Sequence, residues 1–245
     1  KCVLAVMTDN SNDKNYPPGK PQYTLDFAYH GGIYRDVWLI GKSDVSITDA
    51  LEANKVAGGG VFVHFDQISE KKAQVFVDTE VKNSGTARRV VTVETTLTDA
   101  SGKKVKQTSS RVMLNAGDSV TVKQKMQVSN PHLWSPDSPY LYRVESRVTE
   151  GKLALDGGVT RVGIRKAEFK DKDGFWLNGK PFGQLVGANR HQDFAYVGNA
   201  LPNSQRWRDA KRLRDAGCRI VRVAHYPQDP SFMDACDELG IFVIV

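Results

Sequence analysis

Apolar side chains recur at every second position through five runs in the middle of the chain. They are Val61 to Phe65, Ala73 to Val81, Arg89 to Leu97, Ser119 to Met126 and Leu141 to Val148. A period of two is that of half-buried strands, and the turn signals Asn83-Ser-Gly85 and Ala100-Ser-Gly102 separate successive runs. About seven short strands within residues 43–165, with no helical period between them, predict an antiparallel immunoglobulin-like sandwich. No cysteine pair spans it, so core packing alone is expected to hold it.

After Gly183 the pattern changes to strand, helix, strand, helix, strand. The first strand is carried by Leu185 and Val186 and ends in the polar cluster Asn189-Arg-His-Gln-Asp193. Asn203 or Ser204 can cap the following helix, whose apolar stripe is Trp207, Ala210, Leu213 and Ala216, with Gly217 as its stop. Arg219 to Val223 is the second strand. The next helix has Asp229 as N-cap, Pro230 at its first position, a buried face of Phe232, Met233, Cys236 and Leu239, and Gly240 at its end. Ile241 to Val245 is apolar throughout, as a parallel strand covered on both faces should be, and is expected to pair with Arg219 to Val223. Two consecutive βαβ units leave a doubly wound sheet or a (β/α)8 barrel. A dinucleotide-binding sheet wants G-x-G-x-x-G after its first strand, and here that connection reads NRHQDFAYVGNALPN, which decides for the barrel. Hydrogen-bonding side chains gather just past the strand ends, where a barrel has its mouth.

Before the sandwich, Val3 to Met7 reads as a strand, followed by a polar loop and a closing stretch from His30 to Ile40. Two or three strands cannot bury a core by themselves. Arg35 and Asp36 within that stretch are expected to form a structural ion pair at a domain seam. Between sandwich and barrel, Asn178-Gly179 signals a type I′ hairpin.

Composition narrows the function classes. The chain has 245 residues, 40% hydrophobic and 25% charged, the balance of an ordinary globular protein. Its net charge of +6 is interleaved with acids, and the densest cationic group, Arg206, Arg208, Lys211, Arg212 and Arg214, reads as a solvated outer helix face. No nucleic-acid partner is expected. No apolar run approaches the ~20 residues of a membrane helix, and no signal-type leader opens the chain. Cys2, Cys218 and Cys236 are odd in number and sit on apolar faces, so buried free thiols are expected. His191 and His225 lack a third ligand at a recognised spacing, which speaks against a metal.

Arg222-Val-Ala-His-Tyr-Pro227, followed by Phe232-Met233, Asp237 and Gly240-Ile-Phe-Val-Ile244, resembles the first signature of glycoside hydrolase family 2, which comprises β-galactosidases, β-glucuronidases and β-mannosidases. Gly187 to Asp193 resembles that family's first barrel-strand motif, Asn130 to Tyr142 a stretch of its second domain, and Gly32 to Leu39 the end of its N-terminal jelly-roll. Arg219 and Val223 depart from the signature, which usually has Asn and a small residue there.

The resemblance implies a multidomain internal fragment. Residues 1–42 are the tail of a sugar-binding-like jelly-roll, 43–165 the immunoglobulin-like sandwich, and 166–245 the start of a catalytic α/β (TIM) barrel completed by the rest of the same polypeptide. It implies a retaining exo-β-glycosidase, β-galactosidase-like, acting on an oligosaccharide or β-glycoside, with both catalytic glutamates beyond Val245. Asp193 is the only carboxylate placed at the mouth. Arg222 is suited to holding a neighbouring carboxylate ionised, His225 and His191 to contacting sugar hydroxyls, and Asn189 and Asp193 to adding hydrogen bonds. No cofactor is expected in this segment; magnesium, used by some galactosidases of the family, takes ligands elsewhere. A periplasmic or extracellular setting is favoured over a cytoplasmic one. The alternative is a non-catalytic carbohydrate-binding or spacer sandwich. Binding would need an exposed row of aromatics, where the strands show Val, Thr and Lys, and Trp134 is expected to plug the sandwich edge.

Overall fold

The computed structural model describes residues 3–16, 19–25 and 30–245. Cys2 lies outside them. The chain forms two compact units, Leu39–Leu185 and the described residues of Lys1–Trp38 with Val186–Val245.

In the first unit the strands are β1 (Val45–Ile47), β2 (Val61–Asp66), β3 (Lys72–Asn83), β4 (Arg89–Thr98), β5 (Lys104–Leu114), β6 (Ser119–Ser129), β7 (Tyr142–Glu150) and β8 (Leu153–Val162), with a one-turn helix α1 (Ala50–Ala53). They make two antiparallel sheets. β6 runs along the whole of one edge of β3, so β1 and β2 share the other, and the second sheet runs β5-β4-β7-β8. Alternation places Val75, Val77, Leu97, Met126, Val128 and Val144 in the shared core. Each such side chain contributes roughly 1.5–3 kcal/mol when fully buried, enough to hold a sandwich without a disulfide. The five periodic runs correspond to β2, β3, β4, β6 and β7. β1 is three residues long, while β5 and β8 are the outer strands of their sheet, where one free edge weakens the apolar alternation.

Trp134 is 1% exposed. Its backbone bonds Ile164, the Arg165 guanidinium lies 4.9 Å from its ring centroid, and a Cβ on Gly163 would stand 2.7 Å from its Cδ1. Its ring plugs the sandwich edge and offers no face to a sugar. The expected absence of an aromatic row needs correction: Phe62, His64 and Phe76 do line up across β2 and β3. His64 and Phe76 lie 4.9 Å apart and within 6° of parallel, so the rings cover one another's faces instead of forming a flat platform. The unit ends in a small antiparallel sheet of β9 (Ala167–Phe169), β10 (Phe175–Leu177) and β11 (Lys180–Pro181). Asn178 (φ 54°) and Gly179 (φ 80°) make its two-residue turn.

The second unit holds three parallel strands, β12 (Gly187–Arg190), β13 (Ile220–Val223) and β14 (Phe242–Ile244), joined by α2 (Asn203–Asp215) and α3 (Pro230–Leu239). β14 pairs with β13. Ala210, Val221, Val223, Phe232, Ala235, Cys236 and Ile241 form the core on the helical side. Asp229 caps α3 by accepting from the Ser231 backbone at 2.9 Å, Pro230 sits in its first turn, and Gly240 closes it at φ 74°.

Several expectations change here. β12 starts at Gly187, not Leu185, because a Cβ there would fall 1.7 Å from the Ile220 carbonyl oxygen, and only glycine allows that approach. The N-cap of α2 is Pro202, with no side-chain cap; Asn203 is already helical. The helix buries Arg206 and Ala210, while Trp207 and Ala216 are exposed, so its inner face is turned from the apolar stripe. Ile244 and Val245 are 50% and 71% exposed, since among the described residues nothing covers the face opposite the helices. Val3–Met7 forms no strand and His30–Trp38 is irregular; no described strand pairs with either in a sheet. Cys236 is buried and Cys218 partly so, both as free thiols.

Candidate functional site

The C-terminal ends of β12 and β13 lie side by side, with Asn189 opposite Arg222 and Arg190 opposite Val223. Strand alternation decides which side chain goes where. Val221 and Val223 turn to the helical core, so Arg222 projects from the open face, where it is exposed. Asn189 is likewise exposed and Arg190 buried.

Arg222 Nη1 bonds His225 Nδ1 at 2.8 Å. A guanidinium only donates, so Nδ1 accepts and Nε2 carries the proton. In that tautomer His225 carries its N–H at Nε2, beside the Arg222 cation. The Ala224–His225 peptide is cis. His191 sits edge to face against His225, ring centroids 5.2 Å apart. Four of the predicted residues thus converge: Asn189 and Arg222 as register partners, His225 on Arg222, His191 on His225. Asp193 lies two residues past His191 in the loop and is exposed, and its charge acts on Tyr226, the neighbour of His225. The arrangement offers donors from Arg222 and His225 and amide groups from Asn189, a set fit to orient hydroxyls or a carboxylate. Among the described residues no group of three His, Cys, Asp or Glu side chains is placed to hold a metal, and the His pair alone does not fit magnesium, which prefers oxygen ligands.

Beneath this cluster lies a polar network that sequence reasoning missed. Arg190, 7% exposed, donates to Asp209 Oδ2 at 2.7 Å and to Gln228, and lies over the Phe232 ring at 4.1 Å. Gln228 returns a bond to the Arg190 carbonyl, and Ala224 N donates to that same oxygen at 2.9 Å. Arg206 is 1% exposed, not part of a solvated face. It donates to the carbonyls of Leu201, Asn199 and Tyr34, to Gln192 Oε1, and faces Asp229 Oδ2 at 3.5 Å. Burial lowers the Arg206 pKa, whereas Asp229 is held below the usual carboxylate range: burial opposes this, but bonds from Ser231 and the Arg206 charge outweigh it. The backbone on either side of His191 and His225 is therefore pinned by two buried arginines. Arg206 was legible as a charge at a helical step of four from buried Ala210. Arg35 and Asp36 do not pair with each other: Arg35 donates to the Pro227 carbonyl and Asp36 accepts from Asn203 Nδ2 at 3.2 Å. Each finds a better-placed partner in the barrel-type segment.

Comparison with known proteins gives this arrangement its relatives. Residues 57–165 match the model of glycosyl hydrolases family 2, and residues 168–245 that of the family's TIM barrel domain. A β-galactosidase of Thermoanaerobacter pseudethanolicus is 32% identical over 98% of this chain and 30% of its own length. A putative β-galactosidase structure from Bacteroides fragilis superposes with a TM-score of 0.87 at 33% identity, covering 96% of this chain and 34% of that one. A Bacteroides uniformis β-glucuronidase 2, covalently bound to cyclophellitol-6-carboxylate aziridine, gives 0.86 at 31% over 96% of this chain and 27% of that one. The chain thus spans about a third or less of the length of these relatives. With both segments matched in order and the strand-end residues gathered as described, the chain belongs to glycosyl hydrolases family 2.

Proposed function

We propose that this chain supplies the substrate-orienting part of a retaining exo-β-glycosidase site, the two carboxyl groups coming from the remainder of the polypeptide. The observation that carries the reading is the Arg222–His225–His191 cluster at the ends of β12 and β13, where barrel enzymes place their chemistry. Retention needs a nucleophile and an acid/base about 5–5.5 Å apart. The relative's covalent attachment to an aziridine is what an enzymic nucleophile produces, and supports that mechanism for the family member seen there. In this chain the glutamates serve elsewhere: Glu80 pairs with Lys55, Glu150 with Arg89, and Glu70 with Lys180. Arg222 orients a neighbouring carboxylate, and His225 Nε2–H donates to a ring hydroxyl and so holds the sugar in position for attack. The face-to-face stacking of Phe62, His64 and Phe76 favours a spacer role for the sandwich.

The test is a titration of residues 1–245 with methyl β-galactoside and methyl β-glucuronide, followed by amide chemical shifts. One of the two should move His191 and His225 at concentrations of roughly 1–10 mM, and His225→Ala should weaken that binding about tenfold. Aryl β-glycosides should not be cleaved by 1–245. Turnover by this chain, or binding indifferent to His225→Ala, overturns the reading.

A further inference from the structure

The interior of the sandwich holds two apolar clusters and not one. Val77, Leu97, Met126 and Val144 belong to the first, and Val81, Val93, Val122 and Val148 to the second. On each of β3, β4, β6 and β7 one polar side chain stands at the crossing between them. Thr79 lies between Val77 and Val81, and Thr95 between Val93 and Leu97. Gln124 lies between Val122 and Met126, and Ser146 between Val144 and Val148. Strand alternation turns all four inward, and none is more than 5% exposed. A polar layer thus crosses the core from one sheet to the other.

That layer is incompletely bonded. Gln124 Nε2 donates to the Val93 carbonyl at 3.0 Å and to Ser110 Oγ at 3.1 Å, so its amide reaches from β6 across to β4 and β5. Because a carbonyl only accepts, the amide nitrogen must face Val93, and Oε1 is turned the other way. That oxygen, the Oγ1 atoms of Thr79 and Thr95, and Ser146 Oγ make no hydrogen bond with any described residue. Thr95 and Ser146 are direct register partners on β4 and β7. Gln124 lies one inward position from Val122, the register partner of Thr79. Buried oxygens in this condition are costly unless something supplies the bonds.

We propose that this layer is an internal hydration site, holding at least one water molecule between the two sheets. Water fits where other ligands do not. The four groups are neutral and no carboxylate lies among them, so a cation would find no counter-charge. Hydroxyls both donate and accept whereas Gln124 Oε1 only accepts, a set that a small ligand able to do both can meet. A buried water needs roughly two to four polar partners and space of its own. Ser146 is a methyl group smaller than Val144 and Val148 on either side of it, opposite a threonine no larger than valine, and that is where the space lies. This inference does not depend on the activity proposed above.

Its test has two arms, both on residues 1–245. A crystal structure that resolves ordered solvent should show a water within hydrogen-bond distance of at least two of the four oxygens. Thr79→Val and Thr95→Val keep the side-chain shape and remove one hydroxyl, so they read whether that hydroxyl has a partner. With water bound, each variant loses a bond that the water made. Hydrogen-exchange protection of β3 and β4 should then fall about fivefold relative to Thr96→Val, which removes a hydroxyl from the outer face of β4. In a dry layer a methyl group is better buried than an unpaired hydroxyl, and protection should rise in both variants. Solvent density absent from all four oxygens, or protection that rises or stays level in both valine variants, overturns the proposal.

Discussion

Replacing Arg206 by methionine keeps an unbranched apolar stem and removes five interactions at once. Asp229, 4% exposed, loses the cation 3.5 Å from its Oδ2, and the carbonyls of Leu201, Asn199 and Tyr34 and the amide oxygen of Gln192 lose a charged donor. Coulomb's law at 3.5 Å with an effective dielectric of about 20 gives about 5 kcal/mol for the ion pair before its desolvation is counted. Breaking a buried pair on one side typically costs about 3–5 kcal/mol, because the surviving charge stays buried. We therefore expect Arg206→Met to destabilise the second unit by about 3–5 kcal/mol, comparable with the whole stability of a small domain. Hydrogen exchange read by mass spectrometry isolates the effect: peptides from α2 and α3 should lose protection while those from β3, β4, β6 and β7 keep theirs. The cycle with Asp229→Asn supplies the sharper reading. Asn still offers an oxygen to cap α3, so the double variant should be more stable than the sum of the single losses predicts, by about 2 kcal/mol. A loss under about 1 kcal/mol for Arg206→Met, or additivity within about 0.5 kcal/mol, would show that the two side chains do not act as a buried pair.

Two further outcomes follow from burial and close approach. Burial pushes the Cys236 thiol up to about 12 from its ordinary 9.0, so the folded form keeps a proton that the unfolded chain releases above about pH 9. Stability should then fall as pH rises beyond 9, by up to about 1.4 kcal/mol per unit in excess of the fall in Cys236→Ala; equal slopes in urea titrations from pH 7.5 to 10.5, followed by Trp207 fluorescence, would refute this. Gly187→Ala forces a Cβ to within 1.7 Å of the Ile220 carbonyl oxygen and should cost about 3 kcal/mol, lowering protection of β12 and β13. Gly158→Ala, with nothing within 4 Å of its Cβ, should stay within about 0.5 kcal/mol by the same measurement.

What the sequence made legible was whatever its periodicity repeats. β3, β4, β6 and β7 face the core at every second residue over nine residues or more, long enough for the pattern to declare itself. β5 and β8 are as long, but they are edge strands, and Lys104–Leu114 buries only its last residue. A pattern set by burial cannot appear where burial is absent. The site divides the same way. Arg222, His225, His191 and Asn189, which the structure brings together, stood out because a polar run at the end of an apolar strand is anomalous in itself. Asp193 shares that run and is exposed in the loop beyond His191, where spacing along the chain does not fix which groups it meets.

Arg206 was misread, and Arg190 given no role, for a different reason: a charged residue is assigned to solvent by default, and the default fails when several weak acceptors converge on one guanidinium. Arg190 follows Asn189 and precedes His191, so alternation alone puts it on the opposite face of the strand from Asn189. That face meets the helices, where a cation is tolerable only with partners, and Asp209 and Gln228 are those partners. Arg206 meets the same condition through Asp229 and backbone oxygens from two separate stretches. An apolar core in those positions would pack the helices equally well, yet it would leave the Asn199, Leu201 and Tyr34 carbonyls without these donors. Guanidinium groups, with five donors in a fixed fork, are suited to tying irregular backbone in place. The loops that carry His191 and His225 are irregular, and the proposed site needs them still; the buried arginines are how this chain reconciles the two.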